Sequence, residues 1–148
     1  MALKEQIQSD MKTAMKAGEK ERLSVIRMLL AAIQTREIEE RGELPDQDVL
    51  AVVEKLVKQR KDSAKQFADA GRGDREAAEL AEAEMLQAYL PEQMSEAEIA
   101  ALVDEVVTAT GASGMQDMGK VMGAIKGKAQ GRADMGALSA LVKARLSA

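Results

Sequence analysis

Apolar residues recur at helical spacing along almost the whole chain, and no stretch alternates in the manner of a strand. Leu3, Ile7, Met11 and Met15 form one stripe that stops at Gly18, a residue whose tolerance of positive φ suits a helix end. A second helix is predicted from about Glu19 to Arg41, with Leu23, Ile26, Leu30, Ile33 and Ile38 inward and Gly42 after it. Leu44-Pro45-Asp46 opens a third helix: proline suits a first turn, and Asp46 and Asp48 favour its positive end. Its apolar face is Val49, Val52, Val53, Leu56, Val57 and Phe67. Gly71 and Gly73 bracket a turn, Asp74 is a candidate N-cap, and a fourth helix ends near Leu90-Pro91. Four helices with short links predict a bundle or a pair of hairpins.

After Pro91 the pattern changes. Ser95-Glu96-Ala97-Glu98 reads as a capping box, followed by an apolar stripe of Ile99, Leu102, Val103, Val106 and Val107 that Gly111 closes. Ser113 is placed to cap the next helix, in which Met115, Met118, Met122 and Ile125 share a stripe and which Gly131 ends. Asp134 is placed to cap the last, with Leu138, Leu141, Val142 and Leu146 inward. The expected fold class is therefore all-α: an N-terminal bundle of about four helices over residues 1–91, then a small three-helix domain over residues 92–148.

Composition narrows the chemistry. The 148 residues include no His, Cys or Trp, and the aromatics are Phe67 and Tyr89. Ser-His and Cys-His nucleophiles, thiolate or imidazole metal sites and ordinary haem or iron–sulfur ligation are thereby excluded. A metal would need all-oxygen ligands, and no EF-hand-like loop is present, so neither metal nor cofactor is expected. Two aromatics cannot build a base-stacking platform. No apolar run approaches the roughly 20 residues of a membrane span, and the segment up to Gly18 is too charged for a signal peptide; a cytoplasmic protein is expected.

Charge is distributed unevenly. The formal balance is −4, from 21 basic and 25 acidic residues. From Pro91 to Thr110 every charged residue is acidic, whereas from Gly111 onward Lys120, Lys126, Lys128, Arg132, Lys143 and Arg145 face only Asp117 and Asp134. A local basic surface can hold a polyanion on an acidic molecule, because screening cuts off charges beyond about 8 to 10 Å.

Several constellations compete for attention. Glu37, Glu39 and Glu40 with Arg36 and Arg41 resemble a carboxylate cluster, but the end of a helix is where such charges usually serve solvation. Arg27 lies beside the stripe of Leu23, Ile26 and Leu30 and is expected to pair with an acidic residue of a neighbouring helix. Lys58-Gln59-Arg60-Lys61 spans nearly a full turn, so its charges cannot face one ligand, and Asp62 suggests intrahelical pairing. The methionine stripe reads as adaptable core filler before it reads as a partner groove. The most informative segment is Met118-Gly119-Lys120-Val121-Met122-Gly123, followed by Lys126-Gly127-Lys128 and Gly131-Arg132. Each glycine inside a helix costs roughly 1 kcal/mol relative to alanine. Close approach of another helix, or of a nucleic-acid backbone, would account for Gly119 and Gly123. No Gly-Lys-Ser/Thr follows a strand, so this is not a phosphate loop.

These residues also carry a resemblance. Glu21 to Leu29, Lys58-Gln59-Arg60 with Asp62-Ser63, Ala70-Gly71-Arg72, Tyr89-Leu90-Pro91, Met118 to Gly123 and Gly131-Arg132-Ala133-Asp134 together resemble the YqeY family, in order and over essentially the whole chain. Members of that family look like the C-terminal helical and tail regions of the B subunit of the glutamine-dependent tRNA amidotransferase. The resemblance implies the tRNA-engaging part of that enzyme without its transamidation domain or its glutaminase. By position, the tail motif maps onto Gly119, Lys120, Gly123, Lys126, Lys128 and Arg132. Gly127 departs from the pattern, standing where many relatives have proline between the two lysines.

The resulting expectation is a stand-alone module that binds tRNA or another structured RNA and has no catalytic residues of its own. The alternatives are a protein-interaction module that docks on amidotransferase subunits or another translation partner, and a carbon–nitrogen ligase using glutamine as amide donor. Helix-turn-helix DNA binding ranks below these, because the small domain lacks an Arg/Asn/Gln-rich recognition helix.

Overall fold

The computed structural model describes residues 2–147. They form α1 (Leu3–Ala17), α2 (Lys20–Glu40), α3 (Asp46–Asp69), α4 (Gly73–Gln87), α5 (Glu96–Thr110), a 3-10 turn (Met115–Asp117), α6 (Met118–Ala129) and α7 (Met135–Ser147). No strand occurs among the described residues, so the fold is all-α. The chain divides into two compact units, one up to Leu90 and one from Pro91.

The first unit is built from α1 to α4. Gly18 ends α1 in the left-handed conformation, with its N–H donating to the carbonyls of Ala14 and Met15. Arg41 takes the same conformation at the end of α2, at φ 57°, where a side chain is less easily accommodated than glycine. Ile7, Ile26, Leu29, Ile33, Val49, Val53 and Leu86 form the centre of the core, which draws on all four helices. Burying side chains of this size is worth about 1.5 to 3 kcal/mol each, against the entropy of fixing the chain.

Polar groups then set the register between helices. No side chain of its own caps the start of α1, but Asp46 Oδ1 accepts from Leu3 N at 3.0 Å across to the first residue of α3. Lys4 Nζ lies 2.8 Å from Glu37 Oε1, tying α1 to the end of α2. On the long hairpin of α3 and α4, Arg60 Nε lies 3.1 Å from Glu82 and 3.9 Å from Glu79, and its guanidinium also touches Met28 Sδ on α2.

Several expectations change here. Ile38 is 70% exposed and Met15 is also exposed, so the apolar stripes of α1 and α2 run beyond the surface their neighbours cover. Arg72, not Asp74, precedes the first residue of α4, and Asp74 lies in its first turn. Arg27 is exposed and makes no ion pair among the described residues; Arg60 is the arginine that reaches across helices, to α4 and not to Asp62 on its own helix. Glu37 is a structural partner of Lys4, not a solvating charge.

The second unit packs α5, α6 and α7 around Leu102, Val103, Val106, Val121, Ile125, Leu138 and Val142. Ser95 and Glu98 form the complete capping box at the start of α5, and Gly111 ends it at φ 66°. Asp134 Oδ1 accepts from Gly136 N at 3.3 Å at the start of α7. Ser113 does not cap α6; its own N–H donates to Asp117 Oδ2 at 3.0 Å, and Asp117 braces the turn. Leu141, expected inside, is 47% exposed, and Met115 stands outside the core that holds Ile125.

Candidate functional site

α6 carries the residues of interest because its two sides differ sharply. Val121, Ile125 and Ala129 are buried, with Met118 and Met122 half-buried against the same core. The opposite side holds Gly119, Gly123 and Gly127 at successive turns, all exposed, and each position has nothing within 4 Å of where a Cβ would stand. Close packing of another helix of this unit therefore does not explain these glycines. They form an open ridge on which the helix backbone is bare.

Lysines flank the ridge. At 3.6 residues per turn, Lys120 and Lys126 fall on either side of the three glycines. Lys126 is exposed, and its side chain makes no hydrogen bond or ion pair among the described residues. Lys120 Nζ donates to the carbonyl of Thr110 at 3.1 Å, which holds its stem along the end of α5. Lys126 and Lys128 occupy the last turn of α6, where cations meet the negative end of the helix.

Arg132 plays a different part. Its Nε donates to the Glu92 carbonyl at 3.0 Å, and its Nη2 lies 3.5 Å from Glu98 Oε2. Its own backbone carbonyl accepts from Met94 N at 2.8 Å, while Gln93 Nε2 donates to the Gly131 carbonyl at 2.7 Å. Arg132 thus fastens the segment before α5 to the turn between α6 and α7. Of the six predicted residues, the structure brings Gly119, Lys120, Gly123 and Lys126 onto one open face, and places Lys128 at its margin and Arg132 off it in a holding position.

What linear reading missed is the set of carboxylates opposite the basic residues. Lys128 pairs with Glu105 at 3.0 Å, and Arg145 with Asp104 at 3.1 Å, so α5 presents its acidic residues to α6 and α7. From Pro91 onward the chain carries six basic and seven acidic residues. The basic stretch is locally compensated, and what remains available is a short cationic edge around the glycine ridge. Asp104 and Glu105 stand side by side in the sequence of α5, but their partners lie more than twenty positions away.

Among the described residues no helix is long and apolar enough to cross a membrane. Comparison with known proteins places the chain among relatives. It is 37% identical over 105 residues to altered inheritance of mitochondria protein 41, mitochondrial, of Lachancea thermotolerans, an alignment spanning 69% of this chain and 56% of that protein. The chain thus matches little more than half the length of that relative. The family model described as Yqey-like protein matches residues 4–146, nearly end to end, and the chain belongs to the YqeY family.

Proposed function

We propose that this protein is an RNA-binding accessory module, with tRNA the leading substrate, and that α6 is the element that meets the RNA. The observation that carries the reading is the ridge of Gly119, Gly123 and Gly127, which lies open and is flanked by Lys120 and Lys126. A glycine ridge lets a sugar–phosphate backbone approach the helix closely, and the lysines supply sequence-independent attraction to phosphate. The resemblance of the family to the tail of an amidotransferase B subunit supports tRNA as the class of RNA. Catalysis of amide transfer by this chain alone has no support from its residues, and docking on amidotransferase subunits is the second reading.

The test is tRNA binding by the full chain at low and physiological salt, for wild type and two variants. Lys120→Glu/Lys126→Glu/Lys128→Glu reverses the cationic edge and leaves Arg132 in its holding role; binding is expected to fall about tenfold or more and to lose most of its salt dependence. Gly119→Ala/Gly123→Ala adds two methyl groups in open space, so the helix is expected to gain about 0.5 to 1 kcal/mol per site in thermal unfolding. The same change is expected to weaken RNA binding, because the methyls occupy the line of approach. No binding by wild type, or binding that ignores both variants, overturns the proposal. Retention of an amidotransferase subunit after nuclease treatment supports docking instead.

A further inference from the structure

The first unit contains a cavity of about 390 Å³ between α1, α2 and the end of α4. That volume lies within the range of small-molecule sites, about 300 to 1,000 Å³. Its floor is aliphatic: Val25, Ile26, Leu29 and Leu86 line it and are themselves buried. Its rim is charged. The Tyr89 hydroxyl donates to Asp10 Oδ2 at 2.6 Å, and Arg22 reaches the same hydroxyl from α2 while Glu19 holds its Nη1 at 3.4 Å. Burial, followed by the hydrogen bond and the charge of Asp10, pushes the Tyr89 phenol well above its ordinary range, so it stays a donor at all physiological pH. Among the described residues Asp10 Oδ1 has no hydrogen-bond partner, and the guanidinium N–H groups of Arg22 outnumber the acceptors around them, so both keep capacity for a ligand.

We propose that this cavity binds an aliphatic α-amino acid as its zwitterion, with the ammonium on Asp10, the carboxylate on Arg22 and the side chain against Val25, Ile26 and Leu29. The pairing of opposite charges on one rim selects for both ligand groups together. A simple carboxylate brings its charge beside Asp10, and a simple amine brings its charge beside Arg22, so each meets one repulsive partner. Gln6 also lines the cavity, but the floor of Val25, Ile26, Leu29 and Leu86 offers a polar side chain no partner and so favours a branched hydrocarbon there. This site is independent of α6 and of the RNA reading.

The cavity carries its own reporter, since Tyr89 is the sole tyrosine and the chain has no tryptophan. The full chain is titrated with L-leucine, with 4-methylpentanoate, which lacks the ammonium, and with 3-methylbutylamine, which lacks the carboxylate. Tyr89 emission and the NMR amide shifts of Val25, Ile26 and Leu29 are followed together. Saturable change with L-leucine is expected, with each single-charge analogue weaker by about tenfold or more. Asp10→Asn is expected to weaken L-leucine by a similar factor and to narrow its advantage over the acid; Arg22→Gln does the same relative to the amine. Ala88→Phe, at an exposed rim position, blocks entry while keeping both charges, and is expected to abolish the response in a protein whose circular dichroism is unchanged. No saturable change with L-leucine, equal response to all three compounds, or full binding by folded Ala88→Phe overturns the proposal.

Discussion

Three glutamates stand within four positions at the end of α2, and they differ in everything but identity. Glu40 pairs with Arg36 one turn back at 2.7 Å, on an exposed surface where solvent screens the contact and little stability follows from it. Glu37 instead accepts from Lys4 Nζ through both oxygens, at 2.8 and 3.0 Å, and from Leu44 N at 3.4 Å. The Lys4 hydrogen bond, with help from the Leu44 amide and against partial desolvation, holds the Glu37 carboxyl below its ordinary value of 4.5. A carboxyl whose folded-state pKa is depressed stabilises the fold fully above the unfolded value and ceases to do so as pH falls through the folded value. Glu37→Gln is therefore expected to lower the midpoint of thermal unfolding at neutral pH, and the gap from wild type is expected to close as pH falls below the ordinary carboxyl value and through the depressed folded one. Thermal melts across that range decide the matter; parallel curves for the two proteins would remove Glu37 from the acid limb. Nothing in the sequence separates Glu37 from Glu39 and Glu40, because its partners sit 33 positions earlier and seven later. Arg27 and Arg60 repeat the lesson: both lie in α-helices beside apolar residues, and only the fold says that Arg60 is the one that meets glutamates on another helix.

At the scale of the element, local rules performed best where the determinants are local. Ser95 and Glu98 satisfy each other within one turn, and Gly18 and Gly111 take positive φ for reasons confined to their own helix ends. Ser95→Ala removes the oxygen that accepts from Glu98 N at 3.1 Å and is expected to cost about 1 kcal/mol of stability, visible in chemical unfolding of the full chain. A variant with Ser95→Gly is expected to lose only a few tenths, and equal losses would show that the box is idle. The helical period shows that a stripe exists but not how far a neighbour covers it, which is why Ile38 and Leu141 fit their stripes and yet stand exposed. α6 shows the converse. Its glycines are costly inside a helix, and the empty space around their Cβ positions shows that packing within the unit does not account for them.

On the scale of the whole molecule, the two units have separate cores, and among the described residues no buried one belongs to both. The change of pattern at Pro91 reflects this, since a new capping box and a new apolar stripe begin within a few residues of it. The proposed activities also belong to different units, the amino-acid cavity to α1, α2 and the end of α4 and the glycine ridge to α6. Dividing the chain after Leu90 tests whether the units are thermodynamically as well as geometrically distinct. Residues 1–90 are expected to give a helical, cooperatively melting fragment. Residues 91–148 form a small core of the size that buries only about 60% of its unfolded surface, so this fragment is expected to fold but to melt at lower temperature. Circular dichroism establishes folding of each before any binding is measured. If α6 meets RNA, tRNA binding follows the second fragment, with a shallow salt dependence, because Glu105 and Asp104 already neutralise Lys128 and Arg145 and few lysines are free to release counterions. Glu105→Gln in that fragment frees Lys128 and is expected to strengthen binding and steepen the salt slope by about one charge. Binding that travels with residues 1–90 moves the RNA surface to the helical bundle, and the glycine ridge is then left without its partner.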